Sequence, residues 1–202
     1  MKTTNLSPVT LLANRLAQHY AEWMQVEAVV LSGSQASRMN DTLSDLDLYV
    51  CVSRELPLDV RMKIATGQAT DPNEVEVGNE LWEPGDEFVD KETRIRVDVM
   101  YRPLDWIMGE LKKVLIEHKA SLGYSTAIWY NVLHSEVLWD RNGRFAALKQ
   151  IAKRPYPQSL QQEIIDKNYP VLRSTQSSYL HQIEAAVARN DFVTIQHRVT
   201  AL

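Results

Sequence analysis

Three aspartates and one Gly-Ser pair are the residues of this chain whose types and spacing can do chemistry. Gly33-Ser34 is followed by ten residues and then by Asp45-Leu46-Asp47. In a strand, side chains at i and i+2 share a face. Asp45 and Asp47 therefore project together, while Leu46, Leu48 and Val50 face the other way into a core. Two neighbouring carboxylates repel and raise each other's pKa unless a cation sits between them. A hard divalent cation that takes oxygen ligands resolves the conflict. A third acid lies in Arg94-Ile95-Arg96-Val97-Asp98-Val99-Met100. Ile95, Val97 and Val99 share one face there, and Asp98 lies on the other with Arg94 and Arg96. A carboxylate in an apolar strand is costly unless paired or metal-bound, so a salt bridge to Arg94 or Arg96 is the competing reading. With its strand beside 45–52, Asp98 completes a three-carboxylate cluster. Such a cluster can hold two magnesium ions, one shaping a triphosphate and one lowering the pKa of an attacking hydroxyl.

Gly33 has its own physical reason. Without a side chain it lets the backbone approach a ligand closely. A strand that ends in Gly33-Ser34 and runs into a helical turn exposes backbone N–H groups. With the Ser34 hydroxyl these form a site for phosphate oxygens. A phosphate cradle next to metal-binding carboxylates is the equipment of phosphoryl transfer.

The elements that must position these residues are legible in outline. Residues 8–25 place Leu11, Leu12, Leu16, Tyr20 and Trp23 at helical spacing behind a Ser7 cap. Residues 26–33 and 45–52 read as strands, and 57–69 as a helix. The stretch 74–101 breaks at Gly78, at Pro84-Gly85 and near Lys91, which predicts short antiparallel β segments with RIRVDVMY the clearest strand. From Pro103, placed at a helix start, helical periodicity dominates over 103–119, 124–137, 143–153, 158–189 and 191–202, with a hinge at 154–157. The expected class is α/β (α+β), a mixed sheet with flanking helices followed by a C-terminal helical region. The expected domains are 1–102 and 103–202. The final DFVTIQHRVTAL reads as a helix without a stop signal, as in a chain that continues.

Composition sets bounds. The chain has 202 residues, 45% hydrophobic and 24% charged, ordinary for a globular protein. A net charge of −4 lacks the basic footprint of a nucleic-acid-coating protein. The single Cys51 excludes an intramolecular disulfide and, inside a strand, reads as buried and inert. No signal peptide or 18-residue apolar run is visible, so a cytoplasmic location without membrane or nucleic-acid partners is expected.

At VVLSGSQASRMNDTLSDLDLYV and RVDVMY the sequence resembles the nucleotidyltransferase superfamily that includes DNA polymerase β and the small bacterial antibiotic nucleotidyltransferases. The resemblance spans residues 26–101. It implies that Asp45 and Asp47 bind Mg2+, that Asp98 is the third carboxylate, and that Gly33 and Ser34 hold the triphosphate of ATP or another NTP. It also implies transfer of a nucleoside monophosphate, AMP from ATP being expected, to a hydroxyl of a small molecule such as an antibiotic, or of a protein. Many bacterial relatives carry Ala-Arg-Gly after the Gly-Ser. This chain has Ala36-Ser37-Arg38, with the arginine one position later and the glycine missing. The rival reading is a non-catalytic or regulatory nucleotide-binding module of the same fold, as in some toxin–antitoxin components.

Several further residues are weighed against structural explanations. The acidic run Glu74, Glu76, Glu80, Glu83, Asp86 and Glu87 reads first as a solvated hairpin face, with Glu76 and Glu87 as candidate general bases beside Asp98 itself. Histidines 19, 118, 134, 181 and 197 show no metal-ligand spacing. Trp82, Trp106, Trp129 and Trp139 read as packing residues before stacking surfaces.

Overall fold

Ser7 accepts a hydrogen bond from the Thr10 N–H at 3.1 Å, and Pro8 supplies the helical φ of the first turn. Helix α1 (Pro8–Ala21) starts there and buries Leu12, Leu16 and Tyr20 along one stripe. The computed structural model describes residues 7–33, 45–79 and 84–201. Ser34, Ala36, Ser37 and Arg38 lie outside them, as do Glu80, Trp82 and Glu83.

After α1 come β1 (Val26–Leu31), β2 (Leu46–Val52), α2 (Leu58–Gln68), a 3-10 turn at Pro72–Glu74, β3 (Glu76–Asn79), β4 (Gly85–Val89) and β5 (Arg96–Pro103). Then follow α3 (Leu104–Leu115), α4 (Ala127–His134), β6 (Glu136–Asp140), α5 (Arg144–Ala152), α6 (Gln158–Tyr169), a π turn at Pro170–Ser174, α7 (Tyr179–Ala188) and α8 (Phe192–Thr200). The strands form one mixed sheet in the order β3-β4-β5-β2-β1-β6. The β2–β5 pair is parallel and the other four pairs are antiparallel.

Period two divides the sheet into faces. Leu46, Leu48, Val50 and Val52 of β2, Val97 and Val99 of β5 and Phe88 of β4 enter one core with Leu12, Leu16 and Tyr20. Asp47, Tyr49 and Cys51 take the opposite face. Burial pushes the Cys51 thiol well above its ordinary range, which keeps it protonated.

Two differences from the sequence expectation matter for the site. Residues 136–140, of which only 136–137 fall in an expected helical stretch, form β6 beside β1. Five residues of EVLWD are too short for periodicity to separate helix from strand, and the exposed edge of β1 decides. The clear strand expected to start at Arg94 starts at Arg96, because Arg94 has φ 61° and closes a turn. Asp90 holds that turn. Fully buried, it accepts from the Thr93 N–H and hydroxyl, both at 2.8 Å, and pairs with Arg15. Burial alone would raise the Asp90 carboxyl, but these bonds hold it below the ordinary range.

By backbone contacts the chain divides into two units, Met1–Glu110 with Ile128–Lys153, and Leu111–Ala127 with Arg154–Leu202. The first contains the whole sheet. In the second, Asn168 pins the 121–123 loop, accepting from the Gly123 N–H at 2.8 Å and donating to the Ser121 carbonyl at 3.1 Å. Among the described residues no helix is long and apolar enough to cross a membrane.

Candidate active site

The parallel register of β2 and β5 sets Asp47 directly beside Asp98. The antiparallel register of β5 and β4 sets Asp98 beside Glu87, and that of β4 and β3 sets Glu87 beside Glu76. Residues opposite one another in a ladder project to the same face, and strands lie about 4.8 Å apart. Glu76, Glu87, Asp98 and Asp47 are therefore one row of carboxylates crossing four strands. Beyond Asp47, the Ser32 N–H donates to the Asp47 carbonyl at 2.9 Å. Ser32 is 1% exposed, and its hydroxyl has no hydrogen-bond partner among the described residues. Asp45 stands one residue before β2. Its charge is felt at Asp47, Asp98 and Arg96.

The electrostatics record the crowding. Burial pushes the Asp47 carboxyl up to about 6, with further contributions from the charges of Asp98 and Asp45. Asp98 is raised by burial and by Glu87, against the opposing pull of Arg96. Arg96, on the same strand face as Asp98, donates to Glu87, and its Nε stands 3.5 Å from Asp98 Oδ1. That oxygen is buried and has no well-formed hydrogen bond among the described residues. Asp98 is thus held by Arg96 through a loose ionic contact at this same oxygen. As they stand, the described residues include no group of three His, Cys, Asp or Glu side chains close enough to hold a metal ion. The row is spread along the ladder, and Arg96 bridges two of its members. The donor set itself fits a hard cation, because it is all carboxylate oxygen and includes an Oδ1 held only by the loose ion pair with Arg96.

Gly33 abuts this row. It has φ 66°, and a Cβ there would lie 1.8 Å from Asp47 Oδ2. Glycine at this position has a structural cause of its own: any side chain would displace the Asp47 carboxylate. Ser34 lies outside the described residues. Gly33→Ala is expected to cost about 1–2 kcal/mol from the left-handed backbone, before any cost of displacing the Asp47 carboxylate. Urea denaturation checks this, and an alanine variant as stable as wild type would contradict the crowding argument.

An open pocket of about 290 Å³ lies along the row, lined by Asp47, Asn79, Glu87, Arg96, Asp98 and Met100 among others. Asp86 also reaches it, but it is no part of a solvated acidic face. It is fully buried beneath β4, where Arg61 Nε donates to both its oxygens at 3.1 Å and the Tyr101 hydroxyl donates at 2.7 Å. The signal was present in Gly85-Asp86-Glu87-Phe88-Val89, where Asp86 shares the face of Phe88. Trp129 packs inside and donates to the Ala152 carbonyl at 2.7 Å. Trp106 is exposed, with the Arg102 guanidinium 5.0 Å from its ring centre.

Comparison with protein-family models and with curated protein sequences finds no match for the chain.

Proposed function

We propose that the chain is a metal-dependent nucleotidyltransferase of DNA polymerase β-like fold. It would transfer a nucleoside monophosphate, AMP from ATP, to the hydroxyl of a small molecule such as an antibiotic, or of a protein. One observation carries this reading: Asp47 and Asp98 are in-register neighbours on adjacent parallel strands, with Gly33 against the Asp47 carboxylate. Asp45, Asp47 and Asp98 would hold two Mg2+ ions, which when bound neutralise triphosphate charge and lower the pKa of an attacking hydroxyl. The protein's own contribution is preorganisation. Strand backbones fix the register of Asp47 and Asp98 before substrate arrives, so their side chains would need only to converge on the metal. The Gly33 backbone, with Ser34, would receive the triphosphate oxygens. Glu87 is the better placed of the two candidate bases, half-buried beside Asp98, while Glu76 is exposed one strand further out.

The test is pyrophosphate release and label transfer from ATP, with Mg2+, to a panel of hydroxyl acceptors and to protein lysate. Wild type should transfer label to at least one acceptor. Asp98→Asn should reduce the rate at least 100-fold. Equal rates from wild type and Asp98→Asn would sink the assignment.

A further inference from the structure

We infer that Arg96 is an exchangeable counter-ion of the carboxylate row: it holds Glu87 and Asp98 in the metal-free protein and must release them when a divalent cation binds. The inference rests on the metal-binding reading of Asp45, Asp47 and Asp98. Four carboxylates in one row need positive charge nearby. Period two puts the Arg96 side chain on the face of Asp98, and its guanidinium reaches one strand further to Glu87. The two contacts are unequal. Glu87 receives a charge-assisted hydrogen bond, while Asp98 is held through its buried Oδ1 by a looser ionic contact at 3.5 Å.

Exposure shows which partner can leave. The Arg96 side chain is 54% exposed, against 31% for Glu87 and 30% for Asp98. The carboxylates are seated on the sheet and the guanidinium lies at the solvent end, so it can swing away without moving β5. Exposed ion pairs are weak, whereas a divalent cation gains from every oxygen it collects. Arginine and metal compete for the same oxygens. By linkage, a group that the metal must displace lowers metal affinity, and metal binding must loosen that group by the same factor. Arg96 therefore sets the metal concentration at which the site fills, and it keeps the row from repelling itself apart beforehand.

The probe is Mn2+ alone, titrated into metal-free full-length chain, with free Mn2+ read by electron paramagnetic resonance. Arg96→Gln should bind Mn2+ about tenfold more tightly than wild type, Arg96→Lys should fall between them, and Asp47→Asn should lose binding. Circular dichroism establishes that each variant is folded. A second measurement uses wild type only: Mn2+ should speed modification of Arg96 by phenylglyoxal, followed by peptide mass spectrometry. If wild type binds Mn2+ and Asp47→Asn does not, yet Arg96→Gln binds no better and Arg96 modification is unchanged, the exchange is wrong and the metal site stands. If wild type and Asp47→Asn are alike in binding no Mn2+, both fall.

Discussion

Asp47→Asn is expected, on the proposed nucleotidyltransferase reading, to lower nucleotidyl transfer at least 1000-fold while making the metal-free protein more stable at neutral pH. The activity loss follows from removing one charge from the β2 end of the row, where Asp47 neighbours Asp98 in register and feels Asp45. The gain in stability has the same cause. Burial and the two neighbouring charges raise the Asp47 carboxyl in the folded chain to about 6, from an ordinary 3.8. A carboxyl whose folded pKa lies above its unfolded value contributes stability that is full below about pH 4 and is lost as pH rises through about 6. At pH 7.5 the ionised Asp47 is thus a burden on the folded state, and asparagine removes it. After allowance for solvent screening of a half-buried group, the relief is about 1–2 kcal/mol, a rise of a few degrees in melting temperature. Thermal melts at pH 4.5 and 7.5 check the sign: the variant's advantage should appear at 7.5 and shrink at 4.5. An equal or larger advantage at 4.5 would refute this account. Protons and divalent cations compete for the same oxygens, so on the proposed metal-binding reading the wild type's Mn2+ affinity should fall steeply below pH 6.

Arg61→Ala is expected to cost about 3–5 kcal/mol, the usual consequence of leaving a buried charge without its partner. Asp86 is fully buried, and Arg61, on α2, is 3% exposed. Arg61 donates to both Asp86 oxygens, and to the Gly85 carbonyl at 3.2 Å. Its guanidinium lies 4.2 Å from the centre of the Tyr101 ring. The Gly78 N–H adds a hydrogen bond to Asp86 at 3.0 Å, tying the β3–β4 hairpin to the same anchor. Burial pushes both the Tyr101 and Tyr20 hydroxyls up, so Tyr101 stays protonated and able to donate to Asp86. Removing Arg61 strands a fully buried carboxylate without its cation. Replacing both partners at once, Arg61→Met with Asp86→Leu, should recover a large part of the loss, because a buried ion pair has little net advantage over apolar groups of similar volume. Urea denaturation of the three proteins measures this. A single variant losing less than 1 kcal/mol would show that the pair is not the anchor of α2 to the hairpin. Since Glu87 follows Asp86 on β4, the single variant should also loosen one end of the carboxylate row.

Much of the site could be read along the chain, because strand periodicity is local. Alternation separates Asp47 from Leu46 and Leu48, and Asp98 from Val97 and Val99, whatever the rest of the molecule does. The same rule put Arg96 on the Asp98 face and made a salt bridge between them a live alternative. Alternation could also have moved Asp86 off the solvated face, since it shares a side with Phe88. It could not show that this side was covered by α2, whose Arg61 makes burial of the acid tolerable.

What the sequence by itself determined was the face of each side chain and the type of most elements, since both follow from backbone geometry over a few residues. Which strands became neighbours, and in what register, belonged to the tertiary structure. Asp47 and Asp98 are about fifty residues apart and meet because the apolar faces of β2 and β5 share one core. Glu87 entered the row through the β4–β5 register, and β6 joined the sheet because β1 had an edge to fill. Such pairings depend on apolar surfaces meeting across long separations in the chain, and no local period records them.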